Sequence, residues 1–259
     1  MPSAAQFHHD LALLDWHLEL GADEAIGEAP VNRYALKAPA PKPKPETAPQ
    51  PVAPTQSAPI AFDSTPIAQA CTSLDALRTA IETFEQCALK QGARNTVFCD
   101  GHPAARVMVI GEAPGREEDR AGMPFIGRAG QLLDKMFAAI GLSRHEDAPD
   151  TALYITNVLP WRPPQNRDPL PEEIALMKPF LLRHIELAQP DFIVTMGNPS
   201  TKTLRDTTQG ITRMRGQWGE VLGIPSVPLF HPAYLLRSPE KKREAWLDLL
   251  SLKARLEGK

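Results

Sequence analysis

Three side chains of different chemistry and one glycine–asparagine pair each stand at the end of a short apolar run. Glu112 follows "RVMVIG", Asn157 closes "LYITN", Gly197–Asn198 follows "FIVTM", and His231 follows "PSVPLF". A carboxamide presents a donor and an acceptor side by side, so Asn157 can pair with an imide edge. An imidazole can donate to an oxygen that gains negative charge, and a carboxylate can hold or deprotonate a water. The stretch "GEAPGREEDRAGMPFIGRAGQLLD", residues 111–134, adds Phe125, whose ring offers a face for stacking. A flat base extruded from a nucleic-acid strand and cut from its sugar needs this set.

Two other chemistries compete for residues 111–134. A P-loop needs a Gly-Lys pair followed by Ser or Thr to bind phosphate and magnesium. This stretch has no such pair, and Glu117, Glu118 and Asp119 would repel a triphosphate. A hard-cation site could use Glu112, Glu118, Asp119 and His231, but no ligand spacing of the H-x-x-x-H kind supports it. No metal is expected.

The elements that must position these residues are legible as pattern. Four β-branched apolar runs, at 106–111, 153–158, 192–197 and 225–232, read as strands. Helical patterns separate them: "GQLLDKMFAAIG", "PEEIALMKPFLLRHIELA" with Pro179 expected to kink it, and "SPEKKREAWLDLLSLKARLE" with Ser238 as N-cap. Strands alternating with helices imply a short, mainly parallel central sheet covered on both faces, a three-layer α/β/α fold. Ligands of such sheets bind beyond the carboxyl ends of the strands. The four polar endings therefore converge on one crevice.

The rest of the chain bounds the class. The 259 residues are 42% hydrophobic, enough for a sizeable core. Residues 67–259 read as the globular domain. Residues 38–66 hold nine prolines and read as an extended linker. Residues 1–37 are acidic, with a helical spacing of Leu11, Leu14, Trp16, Leu18 and Leu20, and read as a helical segment that docks or binds a protein partner. The remainder is only mildly basic, unlike a protein that coats duplex DNA. No apolar run is long enough to cross a bilayer, no signal peptide is evident, and the three cysteines have no C-x-x-C spacing. A cytoplasmic monomer without membrane contact is expected.

Three long segments in order, "GEAPGREEDRAGMPFIGRAGQLLD", "YITNVLPWRPPQNRDP" and "HPAYLLRSPEKKREAW", resemble the motifs of family 4 uracil-DNA glycosylases, over about residues 70–256. The resemblance implies an enzyme that flips uracil out of DNA and hydrolyses its N-glycosidic bond, leaving an abasic site. It implies catalytic roles for Glu112, His231 and Glu118, and a uracil pocket of Ala113, Phe125 and Asn157. DNA contact falls to Gly115, Arg116, Arg162, Asn166, Arg167 and Arg237, with Leu235 and Leu236 as a wedge filling the gap left by the base. A non-catalytic DNA-binding scaffold and a relative that crosslinks to abasic sites are the alternatives.

One departure from the family pattern concerns a cofactor. Typical members hold an iron–sulfur cluster through four cysteines. The matching positions here are Phe84, Cys87, Trp161 and Met177, and one ligand of four cannot hold a cluster. No cluster is expected, with Phe84, Trp161 and Met177 filling that corner by apolar packing.

Overall fold

A computed structural model of the chain describes residues 62–258. The expectations for residues 1–37 and for the linker up to residue 61 fall outside the described residues.

The sheet is built on four parallel strands: β2 (Val107–Gly111), β3 (Leu153–Asn157), β4 (Phe192–Met196) and β6 (Ile224–Leu229). Two short antiparallel strands, β1 (Asp100–Gly101) and β5 (Gly219–Val221), close the edges, giving the order β1-β3-β2-β4-β6-β5. The four central strands are those expected from the apolar runs. The two edge strands were not expected, because two or three residues are too few to show a period-2 pattern.

Alternation along the strands sorts side chains to two faces. Val107, Val109, Leu153, Ile155, Val194 and Leu229 face one core, covered by α5 (Arg128–Ala138), α9 (Pro232–Arg237) and α10 (Lys242–Leu256). Met108, Ile110, Tyr154 and Ile193 face the other, covered by α1 (Thr65–Ala70), α2 (Leu74–Thr83), α3 (Leu89–Gly92) and α6 (Pro171–Ala188). Each strand is buried from both sides, which is why the runs read as continuously apolar. The remaining short helices are α4 (Arg116–Ala121), α7 (Asn198–Arg205) and α8 (Ile211–Met214).

Local details refine the expected boundaries. Among the described residues, the buried Ser64 and α1 from Thr65 lie inside the stretch read as linker. Helix α6 runs through Pro179 without a break. Ser238 caps nothing with its side chain; it leads into a 3-10 turn, Pro239–Lys241, that continues as α10.

Candidate active site

The carboxyl ends of the parallel strands open into a cavity of about 630 Å3. Glu112, Asn157, Gly197, Asn198 and His231 all line it, so the strand-end argument placed them together correctly. Phe125, Ala113, Gly115 and Glu118 line it as well, as do Asn166, Arg167 and Arg237.

Asn157 is the last residue of β3 and pairs in register with Gly111 on β2. A side chain at Gly111 would collide with the Asn157 carboxamide and the Phe125 ring. Glycine there lets the amide and the ring close over the strand end. Asn157 is only 7% exposed, yet among the described residues its carboxamide has no hydrogen-bond partner. Among the described residues no fully buried side-chain polar atom lacks a partner, so this free carboxamide is one that reaches the open cavity.

Phe125 holds its ring in the cavity wall from an unusual backbone. Its φ is +54°, a left-handed conformation that strains a bulky residue. Arg144 clamps it: Nη2 donates to the Phe125 carbonyl at 3.0 Å and Nη1 to the Pro124 carbonyl at 2.9 Å. Arg144 is buried and also bonds Asp134 at 2.8 Å and Asp100 at 2.9 Å. From the other side, a Cβ at Gly130 would overlap the Phe125 main chain.

His231 is the N-cap of α9, and its Nδ1 accepts the Ala233 amide at 3.1 Å. A neutral ring accepting at Nδ1 carries its proton on Nε2, which leaves one donor. Burial, with the Arg237 charge second, holds its pKa down to about 4, against a smaller opposing pull from Glu118. The ring is therefore neutral at pH 7. It stacks on Phe125 with centroids 5.4 Å apart and 29° between planes.

Glu112 behaves in the opposite sense. Burial, reinforced by the negative charge of Asp168 on the same cavity, raises its pKa to about 7. Its main chain is fixed because the Glu112 carbonyl accepts the Leu159 amide at 3.0 Å. The site thus pairs a half-ionised carboxyl with a neutral imidazole, two groups pushed apart in acidity as acid–base chemistry needs.

Other expected roles change when the contacts are traced. Glu118 has its carboxylate engaged: Oε2 accepts the Gly115 amide at 3.1 Å, and Oε1 accepts those of Ile126 and Gly127 at 3.1 and 2.9 Å. It ties the loop after β2 to the loop carrying Phe125, so it positions the cavity wall. Leu235 cannot be half of a wedge. It is 1% exposed and packed in the core of α5 and α10, while Leu236 is exposed. Consecutive helical residues point about 100° apart, so both cannot project from one face.

Arg167 lines the cavity but forms an ion pair with Glu173, which also accepts the Leu170 amide. Its charge is largely neutralised within the protein. Arg116 and Arg162 lie outside this cavity, in a smaller pit beside it. Asp168 and Tyr234 line the cavity without having been singled out. Both sit inside the quoted motifs, so motif membership was the available signal. Arg144 carried no signal, since its role depends on four separate segments.

Phe84, Cys87, Trp161 and Met177 are all buried in the same core cluster. Phe84 packs edge-on to Phe180 at 5.1 Å, and Trp161 Nε1 donates to Thr96 at 3.1 Å. Cys87 is fully buried, with its thiol pKa raised by burial. Phenylalanine and tryptophan offer no iron ligand, so these residues do not fit an iron–sulfur cluster. Among the described residues, no three His, Cys, Asp or Glu side chains gather to hold a metal, and no helix is long and apolar enough to cross a membrane.

A parallel α/β sheet with an unpartnered carboxamide, a stacking ring, a neutral imidazole and a perturbed carboxyl at its carboxyl edge defines a base-binding protein of the nucleobase-processing kind. Comparison with known proteins agrees. The family model of the uracil DNA glycosylase superfamily matches residues 98–250. A type-4 uracil-DNA glycosylase of Sulfurisphaera tokodaii is 38% identical over 180 residues, covering 66% of this chain and 79% of the relative. One of Archaeoglobus fulgidus is 38% identical over 184 residues, covering 66% and 87%. One of Thermotoga maritima is 42% identical over 154 residues, covering 59% and 77%. The chain belongs to the type-4 uracil-DNA glycosylase family.

Proposed function

We propose that this protein is a uracil-DNA glycosylase that draws uracil from DNA into the cavity and hydrolyses the bond between C1′ and N1. The observation that carries this reading is the unpartnered carboxamide that the largely buried Asn157 turns to the open cavity beside the Phe125 ring. A uracil edge offers an N–H donor next to a carbonyl acceptor, which the carboxamide complements. Phe125 stacks on the base. Cytosine presents an amino donor where uracil has its carbonyl, and would leave the amide mispaired.

As the C1′–N1 bond breaks, electrons move onto the base and its carbonyl oxygens gain charge. The Nε2–H of neutral His231 donates there. A neutral donor stabilises the oxyanion by hydrogen bonding without giving up its own proton. The sugar becomes cationic at C1′, and ionised Glu112 stabilises it and orients the water whose oxygen bonds to C1′; Glu112 takes the proton that this water loses, and uracil leaves as an anion that is protonated by solvent. Ala113 brings its main chain to the rim, where the Gly115 amide is already taken by Glu118, while Asn166 and Arg237 face the strand. Glu118 and Arg144 hold the two loops in place.

The reading includes a chain without the iron–sulfur cluster, with Phe84, Trp161 and Met177 as an apolar plug. Purified protein is expected to hold no stoichiometric iron and show no cluster absorbance. Both would have to be present for the plug to be wrong.

The test of function is a labelled oligonucleotide with one uracil, incubated with the protein and EDTA, then treated with alkali. Scission at uracil, lost in Glu112→Gln, supports the reading. A stable complex with an uncut strand would instead assign the chain to binding without catalysis.

A further inference from the structure

Beside the base cavity lies a pit of about 140 Å3 lined by Arg94, Arg116, Arg120, Arg162 and Asp119. Three segments far apart in sequence bring these four arginines to one hollow. Arg116 and Arg120 stand four residues apart on α4, so they share one helix face, where like charges repel. Arg94 is held against α4 by main-chain bonds: Asp119 Oδ1 accepts the Arg94 amide at 2.8 Å. Asn95 Nδ2 donates to the Asp119 and Arg120 carbonyls at 2.8 and 3.0 Å. Arg162 arrives on the loop after β3, and its Nε donates to Asn166 Oδ1 at 2.7 Å. The Val97 amide bonds the Pro160 carbonyl at 2.8 Å, tying that loop to the Arg94 segment.

The lone carboxylate does not balance this charge. Asp119 is buried, and its Oδ1 is engaged by the Arg94 amide. Among the described residues, none of the four arginines forms an ion pair. Four cations converging on one small hollow are mutually repulsive until an anion enters. Guanidinium forks match the paired oxygens of a phosphate.

The pit's position says which phosphate. Gly115 lines the base cavity and Arg116 lines the pit; Pro163 lines the cavity and Arg162 the pit. At two places one peptide bond separates the two hollows. A strand with its base in the cavity can lay its backbone over that shared wall. We propose that the pit binds a phosphodiester of the substrate strand next to the nucleotide being cut. This rests on the glycosylase reading. It adds Arg94, which lies outside the motifs, and Arg120, which lies inside the first motif without an assigned role, and gives Arg116 and Arg162 a shared ligand outside the base cavity.

The test uses the full chain and a single strand bearing a stable abasic analogue, with affinity measured across a salt series. The Arg94→Gln/Arg120→Gln variant should show a salt slope smaller by about 0.7, the value for one phosphate on a single strand. A neutral methylphosphonate placed at successive positions should weaken the unaltered protein about tenfold or more at one position. The variant should lose nothing further there. Arg94→Lys/Arg120→Lys should restore the slope, which a folding defect would not.

An unchanged slope, or a methylphosphonate penalty that persists in the variant, overturns the proposal. So does displacement of the strand by inorganic phosphate without any methylphosphonate effect, which would make the pit a site for the free ion. Uracil cleavage by the unaltered protein is scored in parallel. If it cuts uracil while the slope is unmoved, only the pit assignment falls. If it neither cuts nor binds, the glycosylase reading falls and takes the pit with it.

Discussion

The buried guanidinium of Arg144 holds the main chain of Phe125, with Nη2 3.0 Å from its carbonyl oxygen, in a left-handed conformation at φ +54°. A side chain on the far side of the loop thereby sets the angle of the ring that a base would meet. The strain is local and is countered by several charge-assisted bonds to one group. Because Asp100 and Asp134 share the same guanidinium, the loop is tied to β1 and α5 as well.

Replacing Arg144 by methionine keeps bulk and removes the clamp. It leaves two carboxylates and two carbonyls without their donor. The expected loss of stability is on the order of 3 kcal/mol, the lower end for breaking a buried pair, since both aspartates are partly exposed. Urea unfolding measures it. Product inhibition by free uracil should weaken in the same variant at temperatures where it stays folded. Unchanged inhibition would mean that Phe125 keeps its angle without Arg144.

Glu112 sets a pH dependence with a definite sign. Its pKa of about 7 lies above the ordinary carboxyl value of 4.5. If the ionised form stabilises the cationic sugar, single-turnover rates should fall as pH drops through about 7. For stability the sign is reversed. The folded state holds a proton that the unfolded state releases, so stability falls as pH rises from 4.5 to 7. Glu112→Gln removes that penalty. The variant should be inactive yet more stable than the parent at pH 8, by up to about 3 kcal/mol, and no different near pH 4. Equal stability at both pH values would show that the carboxyl is not perturbed by its surroundings.

His231 should contribute no titration near pH 6.5. Burial places its pKa near 4, so the ring stays a neutral donor over the working range. His231→Ala is expected to slow single turnover about 10²–10³-fold, the usual cost of one such donor. The slope of rate against pH above pH 5 should be unchanged. A new or lost limb between pH 6 and 7 would mean that the imidazolium, not the imidazole, is the active form.

The parallel core was readable because each strand is buried on both faces and so forms an unbroken apolar run, as in "VMVI" and "LYIT". The rule that ligands sit at strand ends brings Glu112, Asn157 and His231 to one cavity from sequence alone. Glu118 and Leu235 were misread for a shared reason. Their sequence neighbours suggested a role, but each side chain's partner lies on another segment. The carboxylate of Glu118 meets amides eight and nine residues away, and Leu235 turns into a core completed by α5 and α10. Arg94 and Arg144 were invisible for the same reason: an arginine's function depends on where its long side chain ends.

Asn157 offers the sharpest test of specificity, because one atom changes. In Asn157→Asp, an ionised carboxylate only accepts. It can still accept the uracil N–H but would repel the adjacent carbonyl oxygen, so uracil cleavage should drop. A bidentate amide contact is worth about 1–3 kcal/mol of discrimination, so the loss should be about tenfold to a hundredfold. Cytosine presents an amino group at the same place, and the ratio of cytosine to uracil cleavage should rise. Burial at 7% exposure would also raise the new carboxyl's pKa. Once protonated, it regains a donor beside an acceptor and mimics the amide. The variant's uracil activity, taken relative to the parent at each pH so that Glu112 cancels, should therefore recover as pH falls. A relative activity that stays flat with pH, with uracil still preferred over cytosine by the parental margin, would mean that Asn157 only supports the loop after β3 and that another group reads the base.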